Sequence, residues 1–343
     1  MNEEVSKTKK ESRIIYFDIL NIIAIIAVIA LHCNGIVHGN PNVKVWNTSL
    51  IVECICYFAV PLFCMLSGAT LMNYREKYDT KIFFKKRVIK VLIPFIIWAI
   101  IMFIWRTCIL KVKIVFGGSI IEYINAFFNS KEETTYYFMF IILGLYLTMP
   151  LLSLLAKKEN KKTLWFVVFL YFIFNSFIPN ILKLLGINYN MDFTVQLGGY
   201  AIFIILGYLL STENIDKKYR IWIYVGALIG ILYRFISTFI LSKQAGIVVK
   251  TTWGYTSWHS LLLTSAVFLF VKNIKIDTIL KGKDKLITII KQIANCSFGI
   301  YLIHQIVMYY EKSLLSINTA SWEWRTFGIL TTYIICLMII LIL

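Results

Sequence analysis

Ten apolar runs divide this 343-residue chain, at 14–33, 48–72, 91–108, 136–156, 163–182, 195–211, 221–241, 253–271, 292–310 and 326–343. Each is close to the roughly 20 residues an α-helix needs to cross a bilayer. A lipid core offers backbone groups no water, so such runs must cross as helices that satisfy their own hydrogen bonds. The composition agrees, at 59% hydrophobic and 15% charged residues, where a soluble domain is about half apolar and about a quarter charged. The expected fold is all-α, a polytopic membrane bundle of about ten transmembrane helices. It forms one domain, 14–343, behind a charged lead-in at 1–13.

The net charge of +17 could suit nucleic acid, but its distribution points elsewhere. The N-terminus and the connections at 73–90, 157–162, 212–220 and 272–291 hold 24 of the 35 Lys and Arg, and the other five connections hold nine. The remaining two, Arg106 and Arg234, lie inside runs. This asymmetry follows the positive-inside rule with both termini cytoplasmic. The charge therefore reads as a topology signal, with the lipid bilayer as partner and nucleic acid excluded. The first run is too long for a signal peptide and has no small-residue cleavage site, so it is expected to stay as an anchor in the cell membrane.

That first run carries polar side chains a lipid-facing helix would avoid. Asp18, Asn21 and His32 fall within an arc of about 60° at 100° per residue. They should face the protein interior or a wet cavity. Ser297, Tyr301 and His304 form a second stripe in the ninth run. Counting along the runs, His32, Glu53, Arg106, Arg234, His259 and His304 gather in the outer half of the bundle, where one hydrated vestibule is the cheapest way to hold them. The alternative is that each snorkels or pairs separately, and His259 beside Trp253 and Trp258 also suits a plain interfacial position. A histidine acting as base needs a partner for its other ring nitrogen. Glu53 suits His32 better by depth, because Asp18 lies about 21 Å away along the helix.

Pro61, in YFAVPLFCMLSGATL, should kink the helix of the second run and free a carbonyl. The segment NYREKYDTKIFFKKRVIKVLIPF interleaves Lys81, Lys85, Lys86, Arg87 and Lys90 with apolar residues before Pro94. It reads as an interfacial basic turn that grips anionic lipid or binds the phosphates of a cytosolic cofactor. Residues 115–130 read as a short interfacial helix after a Gly-Gly break. The cysteines (Cys33, Cys54, Cys56, Cys64, Cys108, Cys296, Cys336) show no metal or disulfide spacing and read as core packing, with a Cys33–Cys54 bridge as the alternative. No HExxH, G-x-S-x-G, Walker or zinc pattern is present, which disfavours a catalytic metal and ATP hydrolysis.

In this order, Asp18, Leu20 and His32, then Val60–Phe63 with Ser67, Gly68 and Leu71, then Phe84–Arg87 with Pro94, and finally Ser297–His304 resemble the acyltransferase-3 family of membrane O-acyltransferases across nearly the whole chain. The resemblance implies transfer of an acyl group, commonly acetyl, from cytosolic acyl-CoA to a hydroxyl of a surface glycan, cell-wall polymer or lipid-linked sugar, with no bound cofactor. His32 matches the family's essential histidine. Arg87 and Lys90 match its R-x-x-R pattern with Lys in the second place, and with Lys85 and Lys86 they would hold the CoA phosphates. Some members carry an appended extracytoplasmic domain that this chain lacks, so the membrane unit is expected to act alone or with envelope-glycan assembly proteins. Asn21 stands where the family usually has Arg or Lys, keeping a hydrogen-bond donor but losing the charge.

The expected mechanism has His32 as base, oriented by Glu53, with Tyr301 or His304 positioning or stabilising the oxyanion. Asp18, Asn21, Arg106, Arg234 and His259 are the expected substrate contacts. The basic turn lies at one end of the bundle and His32 near the other, so the donor or its acyl group must travel through the bundle unless the first helix sits deeper. The competing readings are a glycan or lipid transporter or flippase with stripes lining a path, and a sensor or scaffold.

Overall fold

The structure, a computed structural model, describes residues 13–111, 120–131, 133–187 and 194–343. The expected lead-in, apart from Arg13, and the Gly-Gly break lie outside the described residues. The helices in chain order are α1 Ile15–Cys33, α2 Lys44–Cys56, α3 Ala59–Leu71, α4 Thr80–Arg87, α5 Ile93–Ile104, α6 Ile120–Phe128, α7 Tyr137–Leu154, α8 Lys161–Tyr171, α9 Ile178–Leu184, α10 Ala201–Thr212, α11 Lys217–Ala245, α12 Trp258–Asn273, α13 Ile276–Ile279, α14 Asp284–Leu314 and α15 Trp322–Ile342. No strand occurs among the described residues.

Among the described residues, eight continuous helical segments are long and apolar enough to cross a membrane. The sixth and eighth expected runs fold instead as α10 and α12, of 12 and 16 residues. At 1.5 Å per residue these reach only about 18 and 24 Å. The difference has a physical reason: α10 is buried from Ala201 to Leu210, so protein rather than lipid surrounds it, and bilayer thickness does not set its length.

Proline shapes three of the segments. Pro61 has no N–H to give the Tyr57 carbonyl, and the second run breaks between α2 and α3 at Tyr57 and Phe58. Ahead of Pro94 the backbone widens into a π-turn, Val88–Leu92, that relieves the ring's clash with the preceding turn. The same occurs at Phe172–Phe177 ahead of Pro179.

α1 runs through the middle of the bundle and packs on α3, α14 and α15. α3 and α10 cross with backbones nearly touching at Gly68 and Gly207. Exposed Ile97, Ile100 and Ile104 on α5, Leu147 and Leu151 on α7, Leu228 and Leu232 on α11, and Leu330 and Ile334 on α15 are what a lipid-facing surface requires. The expected interfacial helix is α6, with Ile121, Ile124 and Phe128 exposed. All seven cysteines are free, so the alternative Cys33–Cys54 bridge is absent.

Candidate active site

At the end of the bundle where α1 begins, two adjoining cavities of 320 and 310 Å³ share Arg13, Asn21, Phe63, Ser67 and Tyr146. Asp18 and Arg87 line the first lobe, and Lys90 and Ser297 line the second. Asp79 caps α4 by accepting from the Ile82 N–H at 2.7 Å. α4 then presents Arg87, whose guanidinium lies 5.5 Å from the centre of the Tyr146 ring. The π-turn that follows carries Lys90 round to the same space. Lys85 and Lys86 do not line it: Lys85 is exposed, and the Lys86 ammonium sits 3.8 Å over the Tyr78 ring.

Asp18 and Asn21, one helical turn apart on α1, both face this space. The Asn21 amide donates to the Ala294 carbonyl at 3.1 Å, tying α1 to α14. Asp18 is paired with Arg13 through both carboxylate oxygens. Arg13, two residues before α1, therefore brings a guanidinium to the cavity that the uncharged Asn21 lines. The Ser297 hydroxyl is buried with no hydrogen-bond partner among the described residues and lines the second lobe.

Toward the other end of α1 lies a 180 Å³ cavity lined by His32, His38, Glu53, Tyr57, Thr135, Tyr137, Trp253, Tyr255 and Tyr301, among others. The His32 and His304 rings lie 5.1 Å apart. His304 Nδ1 lies 2.7 Å from the Tyr301 carbonyl oxygen. A carbonyl only accepts, so Nδ1 carries the proton and Nε2 takes the Gln305 amide at 3.3 Å. His32 has no hydrogen bond or ion pair among the described residues, and it is only half-buried. Its ring is open to a ligand, as is that of His38, which lines the same cavity.

The expected Glu53–His32 pairing is not what the structure holds. Glu53 lines the cavity, but its Oε1 accepts from Arg234 Nη2 at 3.2 Å, with side-chain exposures of 6% and 1%. Arg234 is 181 residues distant in sequence, out of reach of any local count, and it outcompetes a neutral ring for a buried carboxylate. The guanidinium lies 3.2 Å from the centre of the Tyr57 ring, and Tyr57 stacks on Tyr255 at 4.2 Å. Arg234 thus braces the cavity wall from behind.

Tyr301 lines the cavity, but its hydroxyl donates to the Thr135 carbonyl, so that O–H holds the turn before α7 and is not available to an oxyanion. Arg106 and His259 are not brought to the cavity. Arg106 pairs with Glu133 at 3.4 Å, and His259 packs into the gap left by Gly230 on α11. Both depths were estimated along single helices, and helix rotation then turned these side chains to other neighbours.

The sequence reading overlooked His38, Tyr57, Tyr255 and Arg13 as site residues. His38 offered a signal, as one of four histidines and six residues past His32. Its ring lies 5.4 Å from that of Trp253. Burial, and next the Lys250 ammonium, hold it below the ordinary histidine range, so it is neutral at pH 7.

A polar-cored helix bundle with lipid-facing sides, a basic cavity at one end and an unpartnered histidine in a second defines a multi-pass membrane protein built for chemistry inside the bundle. The acyltransferase domain model of the acyltransferase-3 family matches residues 14–341, and the chain belongs to that family of membrane acyltransferases. No curated protein and no solved structure matches it.

Proposed function

We propose that this protein moves a short acyl group, acetyl, from cytosolic acyl-CoA to a hydroxyl of a surface or cell-wall glycan or its lipid-linked precursor, at the cell membrane. One observation carries the reading. The basic-end cavity and the His32 cavity have three residues in common, Phe63, Phe138 and Tyr301. A donor anchored at one end and the base at the other therefore lie in cavities that adjoin at these three residues. This supports an acyl group travelling through the bundle, with no need for α1 to sit deeper.

In this reading the CoA phosphates lie against Arg87, Lys90 and Arg13. The pantetheine arm follows the second lobe past the Ser297 hydroxyl. In the His32 cavity the acceptor oxygen attacks the thioester carbonyl carbon while His32 takes its proton. The C–O bond forms, the C–S bond breaks, and the proton leaves with the CoA thiol. Glu53 and Arg234 hold the wall, and His304 fixes the His32 ring by packing. Envelope-glycan assembly proteins are the expected suppliers of acceptor.

Mass spectrometry of surface glycans from cells with and without the protein tests this. The expected result is loss of an acetyl-sized increment, restored by wild type and not by His32→Ala that still folds. Glycans unchanged by loss of the protein would overturn it. A flippase would instead move unmodified acceptor without acyl-CoA.

A further inference from the structure

The three residues shared by the two cavities are all aromatic, and they differ in how firmly they are held. Tyr301 is a fixed post. Its hydroxyl donates to the Thr135 carbonyl, and its ring lies against Tyr136, Phe138 and His304 at 6.4, 5.6 and 5.9 Å. Phe138 is buried in the first turn of α7, directly after the 3₁₀ turn Thr134–Tyr136 that Tyr301 clamps. Phe63 is different. It is only half-buried, and its ring pairs with Phe138 alone among the described residues at 5.8 Å.

The spaces on either side also differ. Below the partition the second lobe, of 310 Å³, sets Val91, Met139, Ile142 and Phe298 beside Arg13, Asn21, Lys90 and Ser297, so the two spaces differ chiefly in room. Above it the 180 Å³ chamber equals about six water volumes and must hold the reacting edge of an acceptor as well. Its walls include His32, His38 and Glu53, which a long alkyl chain would strip of water without replacing the hydrogen bonds.

We propose that Phe63, Phe138 and Tyr301 form an acyl-size filter in which Phe63 is the movable leaf, passing chains of two to four carbons into the His32 chamber and holding longer ones in the basic-end lobe. The proposal rests on the acyltransferase reading and adds to it the determinant of donor choice.

Two CoA thioesters carrying a small diazirine at the end of the acyl chain, one of four carbons and one of twelve, test it on purified protein in detergent, with cross-linked residues mapped by mass spectrometry. In the wild type the short probe should label the His32 chamber, at Leu31 or Tyr57, and the long probe only the lobe, at Val91 or Ile142. In Phe63→Ala, with an unchanged melting profile, the long probe should reach the chamber. Transfer should follow suit, with the preference for acetyl-CoA over octanoyl-CoA falling by about tenfold or more, within the range of roughly 10–200-fold that one methylene can command. Phe138→Ala should act in the same direction, and Phe63→Trp should slow butyryl more than acetyl transfer. Long-probe labelling of the wild-type chamber overturns the filter, as does a preference that none of these variants changes. The expected labelling without any transfer leaves the filter standing and removes the acyltransferase reading. Failure of both probes to label either cavity removes both.

Discussion

The crossing of α3 and α10 gives the sharpest test of the fold, because the obstacle there is backbone. A methyl group added at Gly207 would lie 1.9 Å from the Met65 carbonyl oxygen, and one added at Gly68 would lie 2.0 Å from that of Ile204. Ordinary contact begins near 3.4 Å, so Gly207→Ala must part the helices by about 1.5 Å. A gap of half that size already forfeits a quarter to a half of each dispersion contact, and buried Leu62, Met65, Ile204 and Tyr208 share the loss. Overpacking costs about 1–3 kcal/mol, and a backbone obstacle belongs at the upper end or beyond. Alanine returns about 1 kcal/mol of helix propensity. The net expectation is about 2–3 kcal/mol of destabilisation, read by denaturant unfolding in mixed micelles. Gly68→Ala should cost a similar amount. The double variant should cost clearly less than the two together, since one separation accommodates both methyls. Transfer should fall further than stability explains, because α3 also carries Phe63 and Ser67 into the basic-end cavity. A Gly207→Ala protein within about 0.5 kcal/mol of wild type, or strictly additive singles, would refute the close crossing.

Other tests address the site. Glu53→Gln or Arg234→Met should each destabilise by about 3–5 kcal/mol, because each strands a buried charge, while Glu53→Leu combined with Arg234→Met should recover most of the loss; a double variant as unstable as the singles would contradict the pairing, and thermal melts decide. Arg13→Ala should raise the KM for acyl-CoA about three- to tenfold at low salt with kcat unchanged, the difference shrinking as salt rises; a lowered kcat at constant KM would place Arg13 elsewhere. His38 should titrate below the ordinary value of 6.5, and Lys250→Gln should move it upward, as read by NMR of labelled histidine. The folded state then binds fewer protons than the unfolded chain, so stability should decline as pH drops below 6.5. A midpoint at or above 6.5 in the folded protein would contradict the burial.

Much of the fold could be read along single helices. The disturbance near Pro61, the basic turn before Pro94 and the inward stripe of α1, from the spacing of Asp18, Asn21 and His32, were each legible locally, while the full break at Tyr57 and the π-turn were not. The His32–His304 meeting was foreshadowed by two stripes that both needed an interior. What failed were statements that required one helix to know another's rotation. Glu53 was assigned to His32 by depth and is held by Arg234. Arg106 and His259 were counted into a vestibule and turn instead to Glu133 and to α11. α10 was counted as a lipid-length helix and is a shorter one, buried among its neighbours.

The sequence by itself determined the solvent of each segment, because roughly 20 apolar residues have few alternatives to crossing a bilayer as a helix, and proline and polar periodicity act within a few residues of themselves. Only the tertiary structure decided which polar groups meet. Residues 63, 138 and 301 become one partition, and Glu53 finds Arg234 across 181 residues, through the way helices pack. That packing depends on side-chain shape and on close approaches such as Gly68 against Ile204 and Gly207 against Met65, which no local period records.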